Sequence, residues 1–514
     1  MTEQRRLMVL ALDAMDRDLA LKWAEAGVLP ALKSLMNQGT IGHVDTPLLE
    51  TGSVWPSFHM GADPSVHGLY DGTRHFDPET YTHPTYEREE VKQKPYWEAL
   101  TKAGCRSIII DPPNILPPEN LNGIYVTDWL AHASWGVTTK LQLRTQPPEL
   151  ADRLMRDYDP DPMDGLICDF HRPRSAAEQR AFRDKMLRRA EIKTQFTIDM
   201  MENEQWDFMF SVLVDAHCAL HHCWHLHDTS HPDYDPDVAK AVGDPVRDVY
   251  VKLDKCLADV LERVDERTVV VVWMSHAAEN AYTGEFMLDR VLQAIDSRST
   301  ENHDARNKRL RRLWHKVPLD VRKVLTPVHV PLRRRLYGEG FLPHPEKRTF
   351  FEVYCNEKTA GIRINVAGRE RDGVVQPGEE YDAVCAKLKD ELMALRNEET
   401  GEPAVIRVWH RTEEFSGEQI NNLPDLFVSW NRDKAINAVS SDRIGRIENP
   451  VPPVRTGDHT AGGWFAAIGP GVIPRQLNMP VGTIDFAPTF AAFFGGDTSG
   501  FQGKPIDPIV RPAD

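Results

Sequence analysis

The sequence has no basic excess, no long apolar run and no paired cysteines at metal-binding or redox spacing. Lys and Arg number 61 against 77 Asp and Glu, a formal net charge of −16. That balance excludes a general nucleic-acid binder and a polybasic membrane-surface protein. It also means that an anionic substrate must be drawn in by a local positive site, because the global field repels it. The first apolar run, Leu7 to Leu12, is too short for the core of a signal peptide, and no later run reaches the roughly 20 residues a membrane span needs. The seven cysteines (Cys105, Cys168, Cys218, Cys223, Cys256, Cys355, Cys385) are odd in number and form no CxxC. They read as reduced thiols of a cytoplasmic protein rather than a disulfide framework. Internal repeats and low-complexity segments are also lacking.

What is there is a 514-residue chain, 41% hydrophobic and 27% charged, as expected of a globular protein too long for one small core. Leu7–Leu12, Ser107–Ile110, the run "WDFMFSVLVD" ending at Asp215, and Val269–Met274 read as buried strands. Helical stretches alternate with them: 18–26, 30–38, 176–204 and 244–264. Strands apolar on both faces and separated by helices predict an α/β fold, a doubly wound, mostly parallel sheet with helices on both faces. Smaller α+β or cap segments are inserted in it. The expected division is a core first part at 1–296, a basic insertion at 297–345, a smaller α+β portion at 346–420 and a C-terminal core part at 421–514. The stretch 305–336 holds eleven Lys/Arg and one acidic residue, Asp320. It reads as a solvated surface insertion, with a basic flap over an anionic substrate or a subunit contact in a homo-oligomer as the alternatives. "LPDLFVSW" and "GGWFAAIGPG" read as strands returning to the main sheet.

Four places carry chemistry. Asp13 follows the first strand, at the sheet edge where α/β enzymes bind their ligands. It could cap the next helix, but Asp16 can do that instead. Thr51, in "LETGSVWPSFHMGADPSVHG", precedes a helical segment, which places its hydroxyl at a positive helix end; the alternative is a plain cap by Thr51 or Ser53. His217, His221, His222, His225, His227 and His231 crowd into eighteen residues that begin at a strand end. His217 and His221 are one helical turn apart, so a helix sets both on one face. His276 ends the strand "VVVVWMSH", and His459 stands in the Gly-rich "RTGDHTAGG". An Asp, a hydroxyl and several His at strand ends describe a zinc-type hydrolase with a side-chain nucleophile.

With these residues in place, the sequence resembles the alkaline phosphatase superfamily, most closely its type I phosphodiesterase/nucleotide pyrophosphatase branch, along nearly the whole chain. That family's first strand ends in a metal-binding Asp, which matches Asp13. Its nucleophile lies ten residues before a Gly that is followed by Pro and His-Gly; Gly61, Pro64, His67 and Gly68 keep this spacing and select Thr51. "TGDHTAGGWFAAIGPG" is similar to the family's last metal-binding His loop, so His459 carries over. Sulfatases are set aside, because their Cys/Ser-x-Pro-x-Arg motif is absent.

Two places depart from that pattern. Where the family has Asp-x-x-x-His, this chain has His217 and His221, with Asp215 two residues earlier. Where the family strand ends Ser-Asp-His-Gly, this one runs Met274-Ser275-His276-Ala277, so Ser275 stands in place of a metal-binding Asp. Glu279 and Asn280 lie just beyond it. The resemblance implies a metal-dependent phosphate-ester hydrolase, phosphodiesterase rather than phosphomonoesterase, with Thr51 as catalytic nucleophile and a phospho-threonine intermediate. It implies metal ligands among Asp13, Thr51, Asp215, His217, His221, His276 and His459. The cofactor expected is a divalent metal, zinc with manganese as alternative, one or two ions, the second site weakened by Ser275. The expected partner is a small phosphorylated substrate, with no nucleic acid and no membrane. Two alternatives use the same fold: a one-metal transfer or rearrangement in a specialised biosynthetic pathway, and a non-enzymatic binder of a phosphorylated ligand or partner.

Overall fold

The computed structural model describes residues 5–46, 50–72, 74–131, 143–163, 173, 175–281, 284, 287–296, 345–353, 355, 359–449 and 455–510. The basic stretch 305–336 lies outside the described residues. The chain divides into two compact units: Met1–Asp63 with Val91–Ala281 and Val454–Asp514, and Pro64–Glu90 with Tyr282–Pro453.

The first unit is built on a sheet whose centre is five parallel strands, in the order Thr268–Met274, Arg6–Leu12, Phe208–Leu213, Ser107–Ile110 and Gly123–Thr127. Antiparallel strands flank them. Gly463–Ile468 lies between Thr268–Met274 and Thr40–Asp45, and Arg144–Gln146 closes the other side. The expected doubly wound α/β architecture is therefore present. Its two faces can be read from the alternation of side chains. Met8, Leu10, Leu12, Val270, Val272 and Met274 join a core with the helices Ala176–Asn203, Asp215–His227 and Pro245–Leu261. On the opposite face Trp273 stacks on Phe58 with ring centroids 4.1 Å apart, and Phe58 adjoins Phe486 and Phe490. Thr268–Met274 is wholly buried. A fully buried Val, Leu or Met contributes about 1.5–3 kcal/mol, which explains why a β-branched run takes the centre of a sheet covered on both faces.

Local signals set the helix starts. Ser175 and Glu178 form a capping box ahead of Ala176–Asn203, and Asp244 accepts from the Arg247 N–H ahead of Pro245–Leu261. The strand expected to run to Asp215 ends at Leu213, and Asp215 opens the helix Asp215–His227.

The second unit holds a four-stranded antiparallel sheet, Val405–His410, Leu426–Trp430, Thr359–Ile364 and Phe350–Val353, packed with the helix Glu379–Met393. Of the two strands expected to return to the main sheet, Gly463–Ile468 does so. Leu426–Trp430 instead pairs with Thr359–Ile364 and Val405–His410. An apolar run specifies burial, not the strand it pairs with.

Candidate active site

The parallel register builds the site. Leu12 is level with Leu213 on one side and with Met274 on the other, so Asp13 and Ser275, the next residues, meet at the carboxyl edge of the sheet. Asp16 takes the helix cap: one oxygen accepts from Leu19 N–H at 2.7 Å and the other from Ala278 N–H at 2.8 Å. Asp13 is thereby left for other partners. Its Oδ1 accepts from the Trp55 indole N–H at 3.2 Å and from the Ser275 hydroxyl at 3.0 Å, and its Oδ2 lies 2.8 Å from Nδ1 of His217.

His217 and His221 share a face of Asp215–His227, as their spacing predicts. Nδ1 of His221 lies 2.8 Å from the carbonyl of Gly457, and as the donor it leaves Nε2 as the basic nitrogen. That approach needs a glycine, because a Cβ at position 457 would stand 2.5 Å from the Leu220 carbonyl. Gly457 opens the short strand Gly457–Thr460, which pairs with Ala277–Asn280 and carries His459 opposite Ala278. The ring centroids of His217, His221 and His459 are 4.5–4.7 Å apart, and their candidate ligand atoms lie within 4.8 Å of one another. His276 adjoins this trio through His459, at 4.8 Å between centroids.

This donor set fits a divalent cation of the zinc type. Three imidazoles converge, and Nδ1 of His459 is buried with no hydrogen-bond partner among the described residues. Burial, and then the neighbouring imidazoles, push the His459 pKa well below its ordinary value and keep it in the neutral form a metal requires. Burial also acts to lower His217, but the Asp13 carboxylate outweighs it and the net shift is upward.

Asp215 is not part of the imidazole group. Its Oδ1 accepts from Nε of Arg189 at 2.8 Å, both side chains are buried, and Arg189 also reaches Sγ of Cys218 at 3.1 Å. Burial pushes the Asp215 carboxyl up to about 6 against the pull of Arg189. Neither residue beyond His276 joins the group: Asn280 hydrogen-bonds Asp228, and Glu279 pairs with Asp458 across the ribbon. Thr51 is the second residue of the helix Glu50–Met60, one turn before Trp55; its side chain lies outside the described residues.

Arg189 and Gly457 are contacts the sequence did not single out, and Trp55 belongs to the Thr51 motif without the sequence pointing it at Asp13. Trp55 had a signal, its i+4 spacing from Thr51 on one helix. It is held by His59, which stacks on it at 5.7 Å and 25°, and by Trp273, whose ring stands perpendicular to it at 4.9 Å. Burial among Trp55, Tyr96 and Trp97 pushes the His59 pKa down to about 3. Arg189 had no signal, because the helix Ala176–Asn203 carries Arg180, Arg183, Arg188 and Arg189 and nothing local tells which of them is buried beside Asp215.

The fold is shared with solved structures of low identity. Murine ectonucleotide pyrophosphatase/phosphodiesterase 5 is 11% identical, with 97% of this chain and 98% of that one covered at a TM-score of 0.50. The wild-type alkaline phosphatase PafA is 14% identical, with 99% and 100% covered at a TM-score of 0.53. No curated protein sequence matches the chain. Residues 7–443 match the type I phosphodiesterase / nucleotide pyrophosphatase model, and the chain belongs to that family.

Proposed function

We propose that the protein is a metal-dependent phosphodiesterase that works through Thr51. The Thr51 hydroxyl attacks phosphorus, the alcohol of the ester leaves with a proton, and water then hydrolyses the phospho-threonine and restores the hydroxyl. The observation that carries this reading is the convergence of His217, His221 and His459 at the sheet edge that also carries Asp13. These three imidazoles would hold the ion, which when bound stabilises charge on the phosphoryl oxygens. It would also give a protein of net charge −16 the local positive field an anionic substrate needs. Trp55 ties the Thr51 helix to Asp13.

The substrate class is a small phosphorylated molecule with an ester substituent, of the nucleotide type. In support, an inactive threonine-to-alanine variant of murine ectonucleotide pyrophosphatase/phosphodiesterase 5 was solved in complex with AMP. Zinc is the preferred ion, with manganese second. The compartment is read as cytoplasmic, because the six described cysteines are free thiols. No described helix is long and apolar enough to cross a membrane.

A second reading, a transfer or rearrangement on this scaffold, is favoured by one observation, the hydroxyl of Ser275 where the family pattern has a carboxylate. Bis-p-nitrophenyl phosphate and p-nitrophenyl phosphate, offered to wild type and Thr51→Ala, separate the readings. Diester turnover in wild type, lost by about a thousandfold or more in the variant with metal content kept, is the expected result. Activity of the variant within about tenfold of wild type would exclude Thr51 as nucleophile.

A further inference from the structure

We infer that Asp13 is a positioning residue rather than a metal ligand, and that the site takes one divalent cation, on the imidazoles of His217, His221 and His459. The inference rests on the metal-dependent reading above and concerns how the ion is held.

The hydrogens available around Asp13 fix the direction of each contact. An ionised carboxylate only accepts. Oδ1 of Asp13 faces two donors, the Trp55 indole N–H at 3.2 Å and the Ser275 hydroxyl at 3.0 Å. Oδ2 faces Nδ1 of His217 at 2.8 Å, so this ring nitrogen carries the hydrogen and Nε2 becomes the basic one. Ser275 has a single hydroxyl hydrogen, and Asp13 takes it. Oγ of Ser275 must then accept from its other two neighbours, Ala14 N–H at 2.9 Å and Nδ1 of His276 at 2.7 Å. The result is one chain of donors, His276 to Ser275 to Asp13 from one side and His217 to Asp13 from the other. Asp13 sets the tautomer of His217 directly and of His276 through Ser275. The Gly457 carbonyl does the same for His221.

A carboxylate that orients an imidazole through its far nitrogen is the outer partner of a metal site, and it raises the basicity of the ligand it holds. The chain is fully buried at Ser275 and nearly so at Asp13 and His276. Trp55 is itself packed by the rings of His59 and Trp273. Among the described residues, a second cation would find a neutral hydroxyl, a carboxylate already facing three donors, and His276. A hydroxyl is a poor ligand for a dication beside three converging imidazoles.

Metal counting tests this without any activity assay. The purified protein, stripped with chelator and titrated with zinc(II), should hold one equivalent by mass spectrometry of the metal. The same protein filled with cobalt(II) should give one visible absorption spectrum. Asp13→Asn, which keeps the shape and still accepts a hydrogen bond, should also bind one equivalent with an unchanged cobalt spectrum, about 10–100-fold more weakly. Two tight equivalents in wild type would overturn the inference. So would loss of an equivalent, or a changed cobalt spectrum, in Asp13→Asn. If that variant does not fold, the wild-type count still decides the number of ions, and a crystal structure of the zinc-loaded wild type decides Asp13: a carboxylate oxygen at about 2.0–2.2 Å from the ion would overturn the inference. One bound ion without diester hydrolysis would strike the functional reading and leave this one standing.

Discussion

Oδ2 of Asp13 and Nδ1 of His217 lie 2.8 Å apart across 204 residues of sequence. The contact joins the end of the first strand to the first turn of the helix that follows Phe208–Leu213, and it links the acid at the sheet edge to the imidazole group.

Asp215 supplies the first test of that group's limits. Because its carboxylate is engaged by Arg189, Asp215→Asn should leave zinc stoichiometry unchanged. It should cost stability, since it leaves a buried guanidinium without its counter-charge, by about 3–5 kcal/mol. Urea unfolding and metal analysis of the same preparation check both halves. A loss of metal with stability intact would make Asp215 a ligand after all.

His459→Ala should do the opposite. Removing one of three converging imidazoles should weaken zinc binding by more than the about 10–100-fold expected of an outer partner. The measurement is a competitive titration against a chromophoric chelator. Wild-type affinity in this variant would end the shared-centre account.

Ser275→Asp places a second carboxylate beside Asp13 at a fully buried position. Two like charges that close cannot both stay ionised without a cation. The variant should therefore melt lower than wild type in chelator and recover when zinc or manganese is added, with metal content rising by one equivalent. Thermal melts across metal concentration read this directly, and an unchanged count would show that the pocket cannot be made to hold a second ion.

His59 predicts a pH dependence. Its pKa is about 3 in the folded protein, against 6.5 for a free imidazole. Between those values the unfolded chain binds the extra proton, so stability is lost as pH falls from about 6.5 towards 3. This one group contributes a slope of up to about 1.4 kcal/mol per pH unit. His59→Leu should flatten the unfolding free energy between pH 6 and 4 by that amount relative to wild type. Parallel slopes for the two proteins would show that His59 does not titrate in this way.

The sequence by itself determined many of the elements and the residue types that stand at their ends. Buried strands announce themselves as β-branched apolar runs, and the helix Pro30–Gln38 and the strand Ser107–Ile110 fall where the pattern puts them. The i, i+4 spacing of His217 and His221 is a property of any helix. Asp16 could be recognised as a cap because capping is local. Tertiary structure decided everything that depends on partners. Leu426–Trp430 pairs with Thr359–Ile364 and Val405–His410 instead of joining the main sheet, since an apolar strand is compatible with either. Asp215 turns to Arg189, because a polar helix gives no hint which of its arginines will be buried. Ser275, which in the sequence reads as a missing ligand, is in the fold a hydroxyl that donates to Asp13 and accepts from His276. Residue types and local spacing are written along the chain. The register that brings residue 13 beside residue 275 is set by how the strands align, and only the folded sheet contains it.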